Sequence, residues 1–215
     1  KLIYFGVPLK IVDYPMLFLM HADTLIVSLF FDLKTLAIYA TAKLFFLQLS
    51  QIPGWIQNVF VMNLANNLHN ETELKRINND FFNLLLFNYL FLIPLLLVSA
   101  AIASKMLIHL FLESYAESLE YVLLLMTAIY FCPQVIAIRN YWILDKKLLK
   151  LGLTNAIALV IFFVLIFVGY AFSLSLKMIA GAYIIAFFSS SVLVIVWVGK
   201  TIWGYKKLLI LMLAI

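Results

Sequence analysis

Six long apolar runs, separated by short polar punctuation, set the pattern of the chain: Leu2 to Phe31, Leu36 to Met62, Phe81 to Ser104, Leu119 to Ile138, Leu151 to Phe172 and Met178 to Val198. Each reaches the roughly 20 residues that a helix needs to cross a bilayer. Stretches such as Ile157 to Val168 do not alternate apolar and polar residues, which argues against a transmembrane barrel. The pattern therefore predicts an all-α, polytopic membrane helical bundle of about six transmembrane helices, with residues 1–215 forming one unit. Asn63 to Asp80 gathers thirteen polar or charged side chains and reads as the main hydrophilic loop, while Lys105 to Ser118 reads as an amphipathic interfacial connector. Pro8, Pro15, Pro53, Pro94 and Pro133 fall inside spans, where they kink helices that the bilayer tolerates.

Composition agrees with the pattern. The 215 residues are 66% hydrophobic and 12% charged, with a mean hydropathy of +1.10, so lipid must serve as part of the solvent. A single cysteine, Cys132, excludes an internal disulfide framework and a multi-cysteine metal site. The chain opens on Lys1 without a signal-peptide pattern and stops within an apolar run, so a fragment of a longer protein is expected. With six spans, ten Lys and Arg fall on the side of both chain ends and three on the other. That bias places both ends in the cytoplasm, makes the formal charge of +5 topological and argues against a nucleic-acid partner. The sequon-like Asn70-Glu71-Thr72 then lies inside, away from glycosylation.

Ionisable side chains inside a span are the costly ones, at about 2.5–3.5 kcal/mol or more near the helix centre. They cluster in the first two runs: Lys10, Asp13, His21 and Asp23, then Lys43. At 100° per residue from Lys10, Asp13 lies near about −60° and His21 near about +20°, whereas Asp23 lies near about −140°. Around Lys43, Ser50, Gln57, Asn58 and Gln51 fall within about 80°, forming a polar stripe. Two striped helices facing each other across a polar cavity would relieve the desolvation cost. The plainer alternatives are a Lys10–Asp13 pair that neutralises itself, a hydrated Asp23, and a His21 that only bridges two helices. Gly181 and Ser189-Ser190-Ser191 read as close helix-packing positions. No metalloprotease, nucleophile-elbow, phosphate-loop or Cys/His pattern is present, so no enzyme, catalytic residue, metal or cofactor is expected.

Several short motifs are similar to those of a known family. Gly6-Val7-Pro8-Leu9, Ala22-Asp23-Thr24-Leu25-Ile26-Val27 and Leu36-Ala37-Ile38-Tyr39-Ala40-Thr41-Ala42 resemble the start of the second half of Wzx/RfbX-type polysaccharide (O-antigen) flippases. Asp145-Lys146-Lys147 and Ile179-Ala180-Gly181-Ala182-Tyr183 resemble later elements of the same half. Thr24 stands where the family has Arg, and Ala37 where it has Gly. The resemblance implies the C-terminal lobe of a two-lobed transporter of the multidrug/oligosaccharidyl-lipid/polysaccharide class in a bacterial cytoplasmic membrane. Its substrate would be an undecaprenyl-pyrophosphate-linked oligosaccharide, moved by alternating access. Its partners would be membrane lipids, the missing N-terminal lobe and polysaccharide assembly machinery. On this reading Lys43, with Lys10 or His21, attracts the pyrophosphate or an acidic sugar; Gln51, Gln57 and Asn58 bond sugar hydroxyls; Asp13 or Asp23 couples to a cation. The alternatives are a drug or metabolite antiporter of the same superfamily and a membrane glycan polymerase or ligase. The short outer loops count against the last.

Overall fold

The computed structural model describes residues 2–66, 71–131, 148–198 and 207. The described residues are all-α, with helices α1 (Leu2–Phe30), α2 (Leu33–Asn66), α3 (Glu71–Phe87), α4 (Ile93–Phe111), α5 (Ser118–Met126), α6 (Leu148–Ala171) and α7 (Leu176–Val198). A π-helical segment, Asn88–Leu92, joins α3 and α4 into one rod, so the helices make six rods among the described residues. Among the described residues four helices are long and apolar enough to cross a membrane: Lys10–Phe30, Phe82–Phe111, Leu148–Ala171 and Leu176–Trp197. The other two expected spans differ for separate reasons. Lys43, Gln48, Ser50 and Gln51 dilute the apolar character of α2, and of the run expected at 119–138 only the part up to Phe131 lies among the described residues. Cys132, Pro133, Arg139 and the Asp145-Lys146-Lys147 motif fall outside them.

Two boundaries depart from expectation. The predicted loop Asn63–Asp80 is helical up to Asn66 and again from Glu71. Its Glu, Lys, Leu and Arg are good helix formers, and Leu74, Ile77, Phe81 and Leu85 recur at helical spacing, so a polar but amphipathic helix forms. The predicted connector from Lys105 is instead the last two turns of α4, and the chain leaves the helix only at Leu112. Phe82–Phe111 is 30 residues, about 45 Å at 1.5 Å per residue, against a hydrocarbon core of about 30 Å. Its exposed Lys105 and His109 thus fall where the rod clears the core.

The π segment has a local cause. Pro94 has no N–H, and its ring would strike the Leu90 carbonyl in a regular helix. Widening the turn relieves that contact, and the Ile93 N–H bonds the Asn88 carbonyl five residues back.

Connections on alternate sides arrange the bundle. Asp32 caps α2 by accepting the Thr35 N–H at 3.1 Å, closing a two-residue turn that lays α1 and α2 antiparallel. The Thr35 hydroxyl and N–H hold the Asp32 carboxyl below its ordinary pKa. Lys34 reaches Glu117 at 4.0 Å and Lys177 reaches Glu120 at 2.6 Å, so the first, third and fifth connections meet at one end. Lys207, next to Asn79 and Phe82, lies with the other end of the α3 rod. α1 runs parallel to α6: Val12 accepts a bond from Asn155 at 3.1 Å, Phe18 stacks on Phe163, and Phe30 meets Tyr170. Gly152 permits this approach, since a Cβ there would sit 3.3 Å from Val12. At Gly181, among the described residues, a Cβ would meet nothing within 4 Å, so close packing does not require this glycine there. Outward faces carry Phe91, Leu95, Val98, Ile102, Val160 and Phe167, an apolar coat suited to lipid.

Candidate functional site

The α1–α2 hairpin pivots near residues 31 and 32, so a position about nine residues before the turn faces one about nine residues after it. Asp23 on α1 and the Tyr39–Lys43 turn of α2 stand in this relation. The Lys43 Nζ lies 2.5 Å from Asp23 Oδ2, and the Tyr39 hydroxyl donates to the same oxygen at 2.9 Å. The Thr24 N–H bonds Oδ1 at 2.8 Å, with the Thr24 hydroxyl at 3.4 Å. Both carboxylate oxygens are therefore engaged. The Asp23 side chain is 0% exposed and that of Lys43 5%, so the pair is sealed from solvent.

α7 closes the site from the other side. Lys43 Nζ sits 3.5 Å from the centroid of the Tyr183 ring and 5.2 Å from that of Phe46, so the cation is held between a carboxylate and an aromatic face. Phe46, Tyr183 and Phe187 pack edge-on or tilted with centroids 4.8–6.3 Å apart. Tyr121 from α5 abuts Tyr39. Neutralised pairwise and walled by rings, a full charge can reside in a bilayer helix. Asp23 lies inside α1, seven residues, about 10 Å, before its last residue, Phe30.

Of the residues singled out from sequence, the structure brings Lys43 and Asp23 together. The off-face Asp23 becomes the central acid because Leu19, Ala22, Ile26 and Val27 fix which side of α1 is buried. Lys10 and His21, opposite that apolar majority, are exposed, and Asp13 is buried at the edge of the packed face. On α2, Ser50 is buried and bonds the Leu47 carbonyl, whereas Gln51 is exposed. The side chains of Gln57 and Asn58 lie outside the described residues. Among the described residues the two helices meet through one direct charge contact, Asp23–Lys43.

Tyr39, Tyr183 and Thr24 were missed. Tyr39 carries a sequence signal, four residues before Lys43 and hence on its face. Tyr183 carries none, since its role comes from packing across 140 positions of chain. Thr24, at the position where Arg was expected, supplies a hydrogen bond in place of a charge, and the cation comes from α2. Buried polar groups also occur on later helices, at Asn88, Thr154, Asn155, Ser190 and Ser191. Among the described residues no cluster of His, Cys, Asp and Glu could hold a metal ion.

A second feature is a cleft of 650 Å³ between α2 and α4, lined chiefly by Leu44, Phe45, Leu49, Ala100, Ala103 and Leu107, with Gln48 and Tyr115 at polar points. It opens on the exposed side of α2, away from the Asp23–Lys43 pair. Compared with protein-family models, with curated proteins and with solved structures, the chain matches none. What stands is a multi-pass helical membrane protein with a sealed Asp–Lys–Tyr centre.

Proposed function

We propose that the chain is one lobe of a transporter that translocates an undecaprenyl-pyrophosphate-linked oligosaccharide for surface polysaccharide synthesis, and that Asp23–Lys43 is its charge switch. The observation that carries this reading is the 2.5 Å ion pair buried within the span. An intramembrane pair of this kind marks a transport pathway by default, because apolar residues would hold two helices together without the desolvation penalty. A phosphate group arriving between α1 and α2 competes with Asp23 for Lys43. The released carboxylate then takes up a proton or another cation, and the lobe exchanges one set of contacts for another. Gln48 and Gln51, polar and exposed on α2, favour a neighbour other than lipid, as a second lobe would provide. The Lys and Arg bias of ten to three supports a reading in which both ends are cytoplasmic, and on the proposed function the membrane is a bacterial inner membrane and the protein is no enzyme.

The test uses the full-length protein in proteoliposomes, with a fluorescent undecaprenyl-pyrophosphate oligosaccharide whose outer-leaflet fraction is read by chemical quenching. Lys43→Ala is expected to lower the translocation rate at least about tenfold, the loss of one charge-assisted contact. Leu95→Ala, on the lipid-facing surface, should leave it unchanged. Equal rates for Lys43→Ala and the parent would overturn the assignment. Proton-driven efflux of a cationic dye, with no glycolipid movement, would assign the same pair to an antiporter.

A further inference from the structure

The α3–α4 rod contains three departures from regular helix within seven residues: the π segment Asn88–Leu92, Pro94, and a buried amide at Asn88. The Asn88 side chain is 0% exposed, and among the described residues neither its Nδ2 nor its Oδ1 has a hydrogen-bond partner. Leaving both ends of an amide unmet is costly in a membrane interior. Pro94 adds a second deficit. In the widened ladder the Ile93 N–H serves the Asn88 carbonyl, and the next donor in that register, for the Tyr89 carbonyl, would be residue 94, which has none. A side chain from another rod makes up the loss: the Tyr130 hydroxyl donates to the Tyr89 carbonyl at 3.0 Å, with the two rings 5.9 Å apart.

The rod is thus weakened at Asn88 and latched at Tyr89 by a residue that follows α5. We infer that Asn88–Pro94 is a hinge at which the α3 half of the rod swings relative to α4, with the Tyr130 hydroxyl as the latch that holds the observed π-helical form. Two opposed terms set its balance. The latch bond favours the observed form. The unmet Asn88 amide disfavours it and finds partners once the turn re-forms with another register. Sites of this kind are where bundle helices bend, since a wide turn slides into a regular one without breaking more than a bond or two. The inference is independent of what the protein carries.

Spin labels at exposed Asn83 and Met106, in a Cys132→Ser background, span the hinge on one rod at about 35 Å in a straight helix. Electron–electron distance measurement on the full chain in lipid nanodiscs should resolve two distances. Tyr130→Phe is expected to raise the minor population relative to the major by roughly two- to tenfold, the effect of one lost hydrogen bond. Asn88→Leu should act in the opposite direction and narrow the distribution to the observed form. Pro94→Ala, which restores the missing donor, should yield one distance, that of a straight rod. Melting curves confirm that each variant folds; a variant that does not is replaced by Asn88→Ala or Tyr130→Leu. A single distance shared by the parent and all variants would show a rigid kink and overturn the hinge. So would a shift of the same sign in Tyr130→Phe and Asn88→Leu.

Discussion

Removing one partner of the Asp23–Lys43 pair should destabilise the bundle far more than removing both. At 2.5 Å and an effective dielectric of about 20, the gross attraction is about 7 kcal/mol. Desolvating the two ions takes back several kcal/mol each, so the intact pair contributes little net stability. A single neutralisation is different, because the surviving charge stays buried at about 3–5 kcal/mol. Asp23→Asn belongs at the lower end, since Lys43 keeps the Tyr183 face and the amide oxygen can still accept from Tyr39. Lys43→Met belongs at the upper end, since the carboxylate keeps only Tyr39 and Thr24 among these donors. For a chain of this size about 3 kcal/mol lowers the apparent Tm by about 6–12 °C. The double variant Asp23→Asn/Lys43→Met should return to within about 1 kcal/mol of the parent, because no unpaired charge remains. The assay is thermal unfolding of all four proteins in nanodiscs, analysed as a double-mutant cycle. Additive losses, with coupling under about 0.5 kcal/mol, would refute the reasoning.

Three further changes test the fold around this site. Ser173, in the turn after α6, has φ of 68°, a left-handed conformation that costs a side chain about 1–2 kcal/mol, so Ser173→Gly should raise thermal stability by up to about that amount. Gly181→Ala should also stabilise, by about 0.5–1 kcal/mol, because the added methyl meets open space within α7; a loss of stability would show a close neighbour there. Asp32, whose carboxyl is held below its ordinary value chiefly by Thr35, should contribute its cap fully above about pH 4 and lose it as pH falls through the lowered folded value. Unfolding curves measured across that window should converge for the parent and Asp32→Ala at the acid end; a gap that persists there would place the effect elsewhere.

The membrane character and the helical class were legible in the sequence because each follows from composition or from helical periodicity, and Lys43 stood out as a charge inside an apolar run. Asp23 was visible but misplaced. Its angle was measured from Lys10, whereas the buried side of α1 is set by the more numerous apolar residues around Leu19, Ala22 and Val27. That apolar majority sets the side of α1 that packs inward, so the acid lies inside with it and Lys10 and His21 fall on the opposite, exposed side. Tyr183 was beyond any local pattern, since only the packing of α7 against α2 brings its ring over Lys43. Helix ends were obscured for a different reason: the polar stretch before Phe81 carries helix-forming residues, and polarity alone does not distinguish a loop from an amphipathic helix. Pro94 was noted as a kink, but the π turn and the Tyr130 contact depend on a neighbouring rod.

On the proposed function the Asp23–Lys43 pair works in transport and does not merely hold α1 to α2. The measurement that tests it most directly is the translocation rate of the Asp23→Asn/Lys43→Met double variant, in the full-length protein in proteoliposomes, with the fluorescent undecaprenyl-pyrophosphate oligosaccharide. The expected double variant is as stable as its parent and has a rate lowered at least about tenfold, since neither the cation nor its release remains. A double variant that is stable and translocates at the parental rate would contradict it and leave Asp23–Lys43 a structural pair.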